Sequence, residues 1–168
     1  SNIELVKYFV EQHNANCLAK NNYMETPLHN ASINNRIEVV KYLIEQCHAN
    51  VEAKNNYGRT PLHGASINGH IEVVKYIIEQ GHANVEVKDY NVGRTPLHFA
   101  SEKGYIEVIR YFIEQCHTNA EVENNDGSTP LHYAAFNGKN EVAEYLIEQC
   151  HVNVEAKNNY GNTPLHDA

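Results

Sequence analysis

The chain lacks a long apolar run. Nothing in its 168 residues approaches the ~20 consecutive apolar positions that cross a bilayer, so no membrane span is expected. It also lacks a basic excess. Thirteen Lys and Arg stand against 21 Asp and Glu, a formal charge of −8 with a pI near 5.7. That balance argues against DNA, RNA or an anionic membrane as the main partner. There is no signal peptide and no initiator Met, and the chain opens on Ser1-Asn2. A chain that opens this way is expected to be internal to a longer one, so the missing leader is a weak guide to targeting.

Cysteine is scarce: Cys17, Cys47, Cys116 and Cys150. The last three occupy one place in a repeated pattern. Stacked helices lie about 8–10 Å apart, and a disulfide needs Cα atoms within about 7 Å. Equivalent cysteines are therefore not expected to pair, which reads as reduced thiols in a cytoplasmic setting. Cys17 sits four places further along its repeat, a shift that does not obviously bring it nearer to another.

What is present is repetition. Thr-Pro-Leu-His begins at Thr26, Thr60, Thr95, Thr129 and Thr163, in steps of 34, 35, 34 and 34 residues. A fixed period of this size means stacked supersecondary units. Thr is a good helix N-cap. Pro at the first helical position gives up a donor that would be unpaired anyway and presets φ. Each copy is thus a helix start.

The template is clearest from Asn55 to Lys88. A polar turn, Asn55 to Arg59, leads to a short helix over Pro61 to Asn68, stopped by Gly69. A second helix runs from about His70 to Gln80, with Ile71, Val74, Ile77 and Ile78 on one stripe and Glu72, Lys75 and Glu79 on the other. Gly81 stands where a left-handed C-terminal cap is expected. The units are a partial one over 1–20, full ones at about 21–54, 55–88, 89–123 and 124–157, and a partial one over 158–168. Met24 replaces the turn glycine found at Gly58, Gly93, Gly127 and Gly161, and should be costly if that site needs φ > 0. The unit from Asp89 carries one extra residue around Val92 and should project further. Glu141 and Glu144 put like charges on one helix face, at a cost of a few tenths of a kcal/mol. Both ends should leave apolar repeat surface uncapped, whereas complete arrays carry polar end units. A slice of a longer array is expected.

Gly58, Thr60-Pro61-Leu62-His63, Ala65, Gly69-His70 and Val73-Val74-Lys75-Tyr76-Ile77 together resemble the ankyrin repeat family, in a match that covers nearly the whole chain. The resemblance implies an all-α solenoid of stacked antiparallel helix pairs with β-hairpin-like finger loops, L-shaped and slightly curved. It also implies a protein-binding module without catalytic activity. Three departures stand out. The period is mostly 34, one above the family's 33, through an extra residue after the second helix. Cys47, Cys116 and Cys150 (with His13 earlier) replace the helix-ending glycine, at ~1 kcal/mol each at most. Glu52, Glu86, Glu121 and Glu155 replace the Asn that such arrays often present for hydroxylation, so the resemblance does not carry that modification over.

Eleven histidines invite a metal or catalytic reading, but five belong to the motif, where each should bond the Thr hydroxyl and nearby turn backbone. The Cys47-His48, Cys116-His117 and Cys150-His151 pairs recur on successive units and cannot converge on one ion as zinc requires. Ser32, Ser66 and Ser101 read as small residues for helix packing. The ladder Tyr8, Tyr42, Tyr76, Tyr111 and Tyr145 reads as core or edge packing. Asn30-Ala31-Ser32 matches a glycosylation sequon but lies inside a packed helix. No catalytic residue, metal or cofactor is expected.

Function should sit where copies differ and side chains point outward, on the fingers and first-helix face that line the concave side. The candidates are Tyr23, Tyr57, Arg59, Ile67, Tyr90, Val92, Arg94, Glu102, Asp126, Phe136 and Tyr160. Phe99 and Tyr133 either reach the same groove or pack between repeats. Tyr57, Arg59, Tyr90, Arg94 and Phe136 are expected at the centre, because Tyr and Arg dominate binding hot spots and exposed apolar strips mark contact sites. The bland alternative is that the finger tyrosines pack on the next finger. The leading expectation is a monomeric, non-enzymatic scaffold or adaptor gripping a protein or peptide. The alternative is a regulatory or targeting arm of a larger enzyme, effector or channel, and a third is a spacer that packs on itself.

Overall fold

A computed structural model describes residues 2–168. Among the described residues the chain is helical and forms no strand. The first helices of the pairs are α2 (Pro27–Ile33), α4 (Pro61–Ile67), α6 (Pro96–Lys103), α8 (Pro130–Phe136) and α10 (Pro164–Asp167). The second helices are α1 (Asn2–Lys7), α3 (Ile37–Glu45), α5 (Ile71–Glu79), α7 (Ile106–Arg110) and α9 (Asn140–Glu148). In α1 and α7 the helix continues as a wider π-helical stretch, Tyr8–Gln12 and Tyr111–Gln115 respectively.

All five prolines open a first helix. Before them Thr26, Thr95, Thr129 and Thr163 are extended, with φ between −88° and −96°. In each of these the Thr side chain and the His three residues on bond each other's backbone N–H groups. This is a capping box with His in the place usually taken by Glu or Gln. The motif leucines Leu28, Leu62, Leu97 and Leu131 are buried, each contributing roughly 1.5–3 kcal/mol.

The second helices bury a slightly different arc from the one their spacing suggests. In α5 Val73, Val74 and Ile77 are inaccessible, while Ile71 and Ile78 are half-buried. The helices α3, α7 and α9 each pack on their own first helix and on a neighbouring second helix, as α3 does on α2, α1 and α5. Two contact faces draw the buried arc round towards Val73.

The extra residue of the 34-residue period is absorbed at the end of the second helix. The Gln46 and Gln80 N–H groups donate to the Tyr42 and Tyr76 carbonyls at 2.9 and 3.0 Å, ordinary α bonds. The N–H groups of Cys47 and Gly81 then reach the same two carbonyls at 3.3 Å, one residue too far for an α turn. Cys116 and Cys150 repeat this on Tyr111 and Tyr145 at 3.2 and 3.3 Å. The last turn is widened by one residue. The left-handed residue therefore falls one place later than Gly81 suggested. It is Asn14, His48, His82, His117 or His151, with φ of 51–57°. Cys116 is right-handed at φ −93°, so the cysteines carry no left-handed cost.

By its contacts the chain divides into two bodies, one running up to Ala65 together with His70–Asn84, the other comprising Ser66–Gly69 and Val85–Ala168. In the first, α1, α3 and α5 form a row of second helices. In the second, α6, α8 and α10 form a row of first helices, and α7 packs on α9.

Candidate partner-binding surface

Each finger turns on one Asn. The Asn55 Oδ1 accepts the Tyr57 and Arg59 N–H groups, both at 3.0 Å, while the Asn55 N–H donates to the Arg59 carbonyl at 3.0 Å. Asn21, Asn124 and Asn158 hold their fingers in the same way. In the longer finger Asp89 takes the role across one more residue, accepting the Arg94 N–H at 2.9 Å. The insertion thus enlarges the loop between fixed ends and leaves Tyr90 and Asn91 exposed. The recurrence of Asn at the root of four of the five fingers, with Asp89 in the fifth, is the sequence signal for these residues, which the expected contact set left out.

Neighbouring fingers share one backbone–backbone bond at each described step, with side-chain bonds beside it. In the first body the Asn56 N–H donates to the Tyr23 carbonyl at 2.9 Å. In the second, the Asn125 and Asn159 N–H groups donate to the Val92 and Asp126 carbonyls, both at 2.8 Å. One backbone bond per step makes a hairpin-like edge without a strand ladder.

The motif histidines lock these fingers to the helices. The Thr95 N–H donates to His98 Nδ1 at 3.2 Å, so that nitrogen is bare and the proton sits on Nε2, which donates to the Ser128 carbonyl at 3.1 Å. His29 reaches the Arg59 carbonyl and His132 the Asn162 carbonyl, both at 3.1 Å. Burial depresses His98 to about 4 and pulls His29 down as well, because the charged ring would lose its water. With both nitrogens engaged, these rings are corner pieces and not free bases.

The expected contact residues fall into two groups. In the first body Tyr23 and Tyr57 are exposed on their fingers, and the half-buried Arg59 lays its guanidinium 5.6 Å from the Tyr57 ring centre. In the second body Tyr90, Phe136 and Tyr160 are exposed, the last two each 74% accessible. Ile67, Val92 and Asp126 are half-buried. Arg94, expected at the centre of a contact, is instead turned inward. Its guanidinium lies 4.1 Å from the Phe99 ring centre and 5.7 Å from that of Tyr133. Its Nη1 pairs with Glu102 at 2.7 Å, and Nε lies 4.0 Å from the buried Asp89. Phe99 is only 3% exposed, so it packs between repeats and does not reach the groove. The acidic root of the longer finger and the aromatic floor draw the cation in. Tyr133 is half-buried, edge-on to His98 at 5.4 Å, and its hydroxyl accepts the Asn124 amide at 3.0 Å.

The opposite, second-helix face carries a ladder of tyrosines. Tyr42 donates to Glu11 at 3.1 Å, Tyr145 to Glu114 at 3.0 Å, and Tyr76 to Glu45. Lys7 lies 5.8 Å from the Tyr42 ring centre, Lys41 6.0 Å from that of Tyr76 and Arg110 4.6 Å from that of Tyr145. Burial, then the accepting carboxylate, raises these phenols, Tyr76 to about 12. This is edge packing. Glu52 and Glu121 are also structural, each accepting the backbone N–H of an Asn in the next unit (Asn84 and Asn153) at 2.7 Å. The four cysteines are free, and the Cys17 thiol lies beside that of Cys47, a closeness the repeat register did not reveal. Burial and this neighbour push Cys47 up to about 12.

Among the described residues no group of three or more His, Cys, Asp or Glu side chains could hold a metal, and no helix is long and apolar enough to cross a membrane. No curated protein matches the chain. The family model for ankyrin repeats, three copies, matches at residues 1–89, 47–122 and 97–168. Those matches run from end to end of the sequence, and with the Thr-Pro-Leu-His corners, paired helices and fingers they place this chain in the ankyrin-repeat family.

Proposed function

We propose that the chain is a non-enzymatic scaffold or adaptor that binds a protein or an extended peptide through its fingers and first helices. Ankyrin repeats are in general protein–protein interaction modules. One observation carries the reading for this chain: the Thr-Pro-Leu-His corners and the finger-root Asn and Asp residues are consumed in holding the scaffold, while Tyr23, Tyr57, Tyr90, Phe136 and Tyr160 stand exposed on the fingers and at the end of a first helix. Large aromatics in water at such positions are what hot spots are made of. With Arg94 paired inward to Glu102, we read it as shaping the longer finger and leave it out of the contact set.

The test follows from that division. A partner captured by the chain should be lost when Tyr57, Tyr90 and Tyr160 are changed to Ala together, with helical circular dichroism unchanged because all three are exposed. Undiminished capture by the triple variant rules this surface out. A monomer in a cytoplasmic setting belongs to the same proposal, and a solution mass of twice the chain's would contradict it.

A further inference from the structure

The second body carries a recess that the candidate residues only partly anticipate. It is a cavity of about 290 Å³ bounded by Tyr133, Phe136 and Tyr160, with Ser128, Asn162 and Asp167 at its polar side. Phe136 ends α8, Tyr160 stands on the finger that follows, and Asp167 lies on α10. Two rings from α8 and one from the finger thus meet on one hollow. The polar groups around it are tied down. Asn162 Nδ2 donates to the Asp167 carboxylate at 3.2 Å, and Ser128 Oγ accepts from Asn158 at 3.3 Å. The Tyr160 hydroxyl leans on the Asp126 carboxylate at 3.5 Å. Two carboxylates therefore flank the rings.

The charge of the surroundings has one sign. Asn124 to Gly138 and Asn158 to Ala168 contain Asp126 and Asp167 and neither Lys nor Arg. Lys139 and Lys157 follow and precede these stretches in sequence. One cation does face a wall, the Arg94 guanidinium 5.7 Å from the Tyr133 ring centre, but it is held by Glu102 at 2.7 Å and stacked on Phe99. Aromatic faces are the negative side of the ring quadrupole and attract a cation within about 6 Å of the centroid. Long basic side chains also lay an apolar stem along such rings while the head stays polar.

We propose that this recess takes a lysine or arginine side chain of an extended peptide, the stem lying against Phe136, Tyr160 and Tyr133 and the charged head reaching Asp126 and Asp167. This rests on the reading of the finger and first-helix face as a partner-binding surface, and it names the chemistry of one residue of that partner.

The experiment titrates the ¹⁵N-labelled chain with three acetylated, amidated pentapeptides, alanine throughout except for a central arginine, norleucine or glutamate. Expected are amide shifts gathered at Ser128, Phe136, Tyr160 and Asp167 with the arginine peptide and not with the other two. Affinity should fall by about threefold in Phe136→Ala, the size of an exposed cation–aromatic contact, and should fall in Asp167→Asn and with added salt. Both positions are accessible enough that helical circular dichroism should not change. Equal shifts with the norleucine peptide, unchanged affinity in both variants, or no gathered shifts at millimolar peptide would each overturn the recess. Those results leave the wider surface standing if capture of a partner still depends on Tyr57 and Tyr90. Loss of that dependence sinks the wider reading, whatever the peptides do.

Discussion

At the scale of single residues the clearest misfit is Met24. Its φ is 62°, in the left-handed region that Gly58, Gly93, Gly127 and Gly161 occupy in the other fingers at 71–81°. A side chain there costs roughly 1–2 kcal/mol, partly offset because glycine gains freedom in the unfolded chain. Met24 is 42% exposed, so little burial is lost on removing it. Met24→Gly should therefore raise the urea-unfolding free energy by about 1 kcal/mol. A loss of stability would mean that the side chain packs for more than its backbone costs. Laying the copies on one another was enough to single out Met24, since the comparison needs only local backbone preference. Arg94 was not legible in that way. Its inward turn depends on the acid at Asp89, the floor at Phe99 and the path of an enlarged loop, three features that meet only in space. The Cys17–Cys47 neighbourhood was hidden for the same reason.

At the scale of elements, helix starts could be read from the chain, as could first-helix ends at glycines such as Gly69, but the ends of the second helices could not. A Thr-Pro step states its cap chemistry in two letters. The widened last turn has no such signature, because any residue can occupy it. Its presence was visible only as a period one residue too long. The consequence is a reversal of roles between adjacent positions. His82 sits at φ 57°, so His82→Gly should stabilise by roughly 0.5–1 kcal/mol if the exposed ring contributes little. The equivalent of Gly81 in the preceding copy, Cys47, is not left-handed. Cys47→Gly should therefore bring no gain, and should cost up to about 1 kcal/mol through added freedom in the unfolded chain. Thermal unfolding of the two variants side by side decides it: a gain for Cys47→Gly with none for His82→Gly would put the cap back where the glycine pattern suggested.

At the scale of the whole molecule, the repeated corner couples stability to acid. A histidine buried neutral has its folded pKa depressed, so the sign is opposite to that of a histidine gaining an acidic partner. For His98 the folded value is about 4 against an ordinary 6.5. Above the ordinary value neither state is charged and the full stability is present. As pH falls from about 6.5 towards 4 the unfolded chain takes up a proton that the folded chain refuses, and stability drops. Below about 4 both states are protonated and this loss levels off. At 1.36 kcal/mol per unit the total for His98 is on the order of 3 kcal/mol, about half of it gone by pH 5. His29 is displaced in the same direction by its burial, so its loss adds to that of His98. Model carboxylates have pKa values near 4, so the interval from 6.5 to 5 is where the histidines weigh most. Urea unfolding should show stability falling across that interval, and His98→Gln should be less stable at pH 7 yet flatter below it. A variant whose pH dependence runs parallel to that of the parent would mean that the corner histidine takes up its proton at the same pH folded as unfolded. Its Nδ1 would then stop accepting the Thr95 N–H below that pH at no cost to stability, and the corner bond could not be what holds the cap.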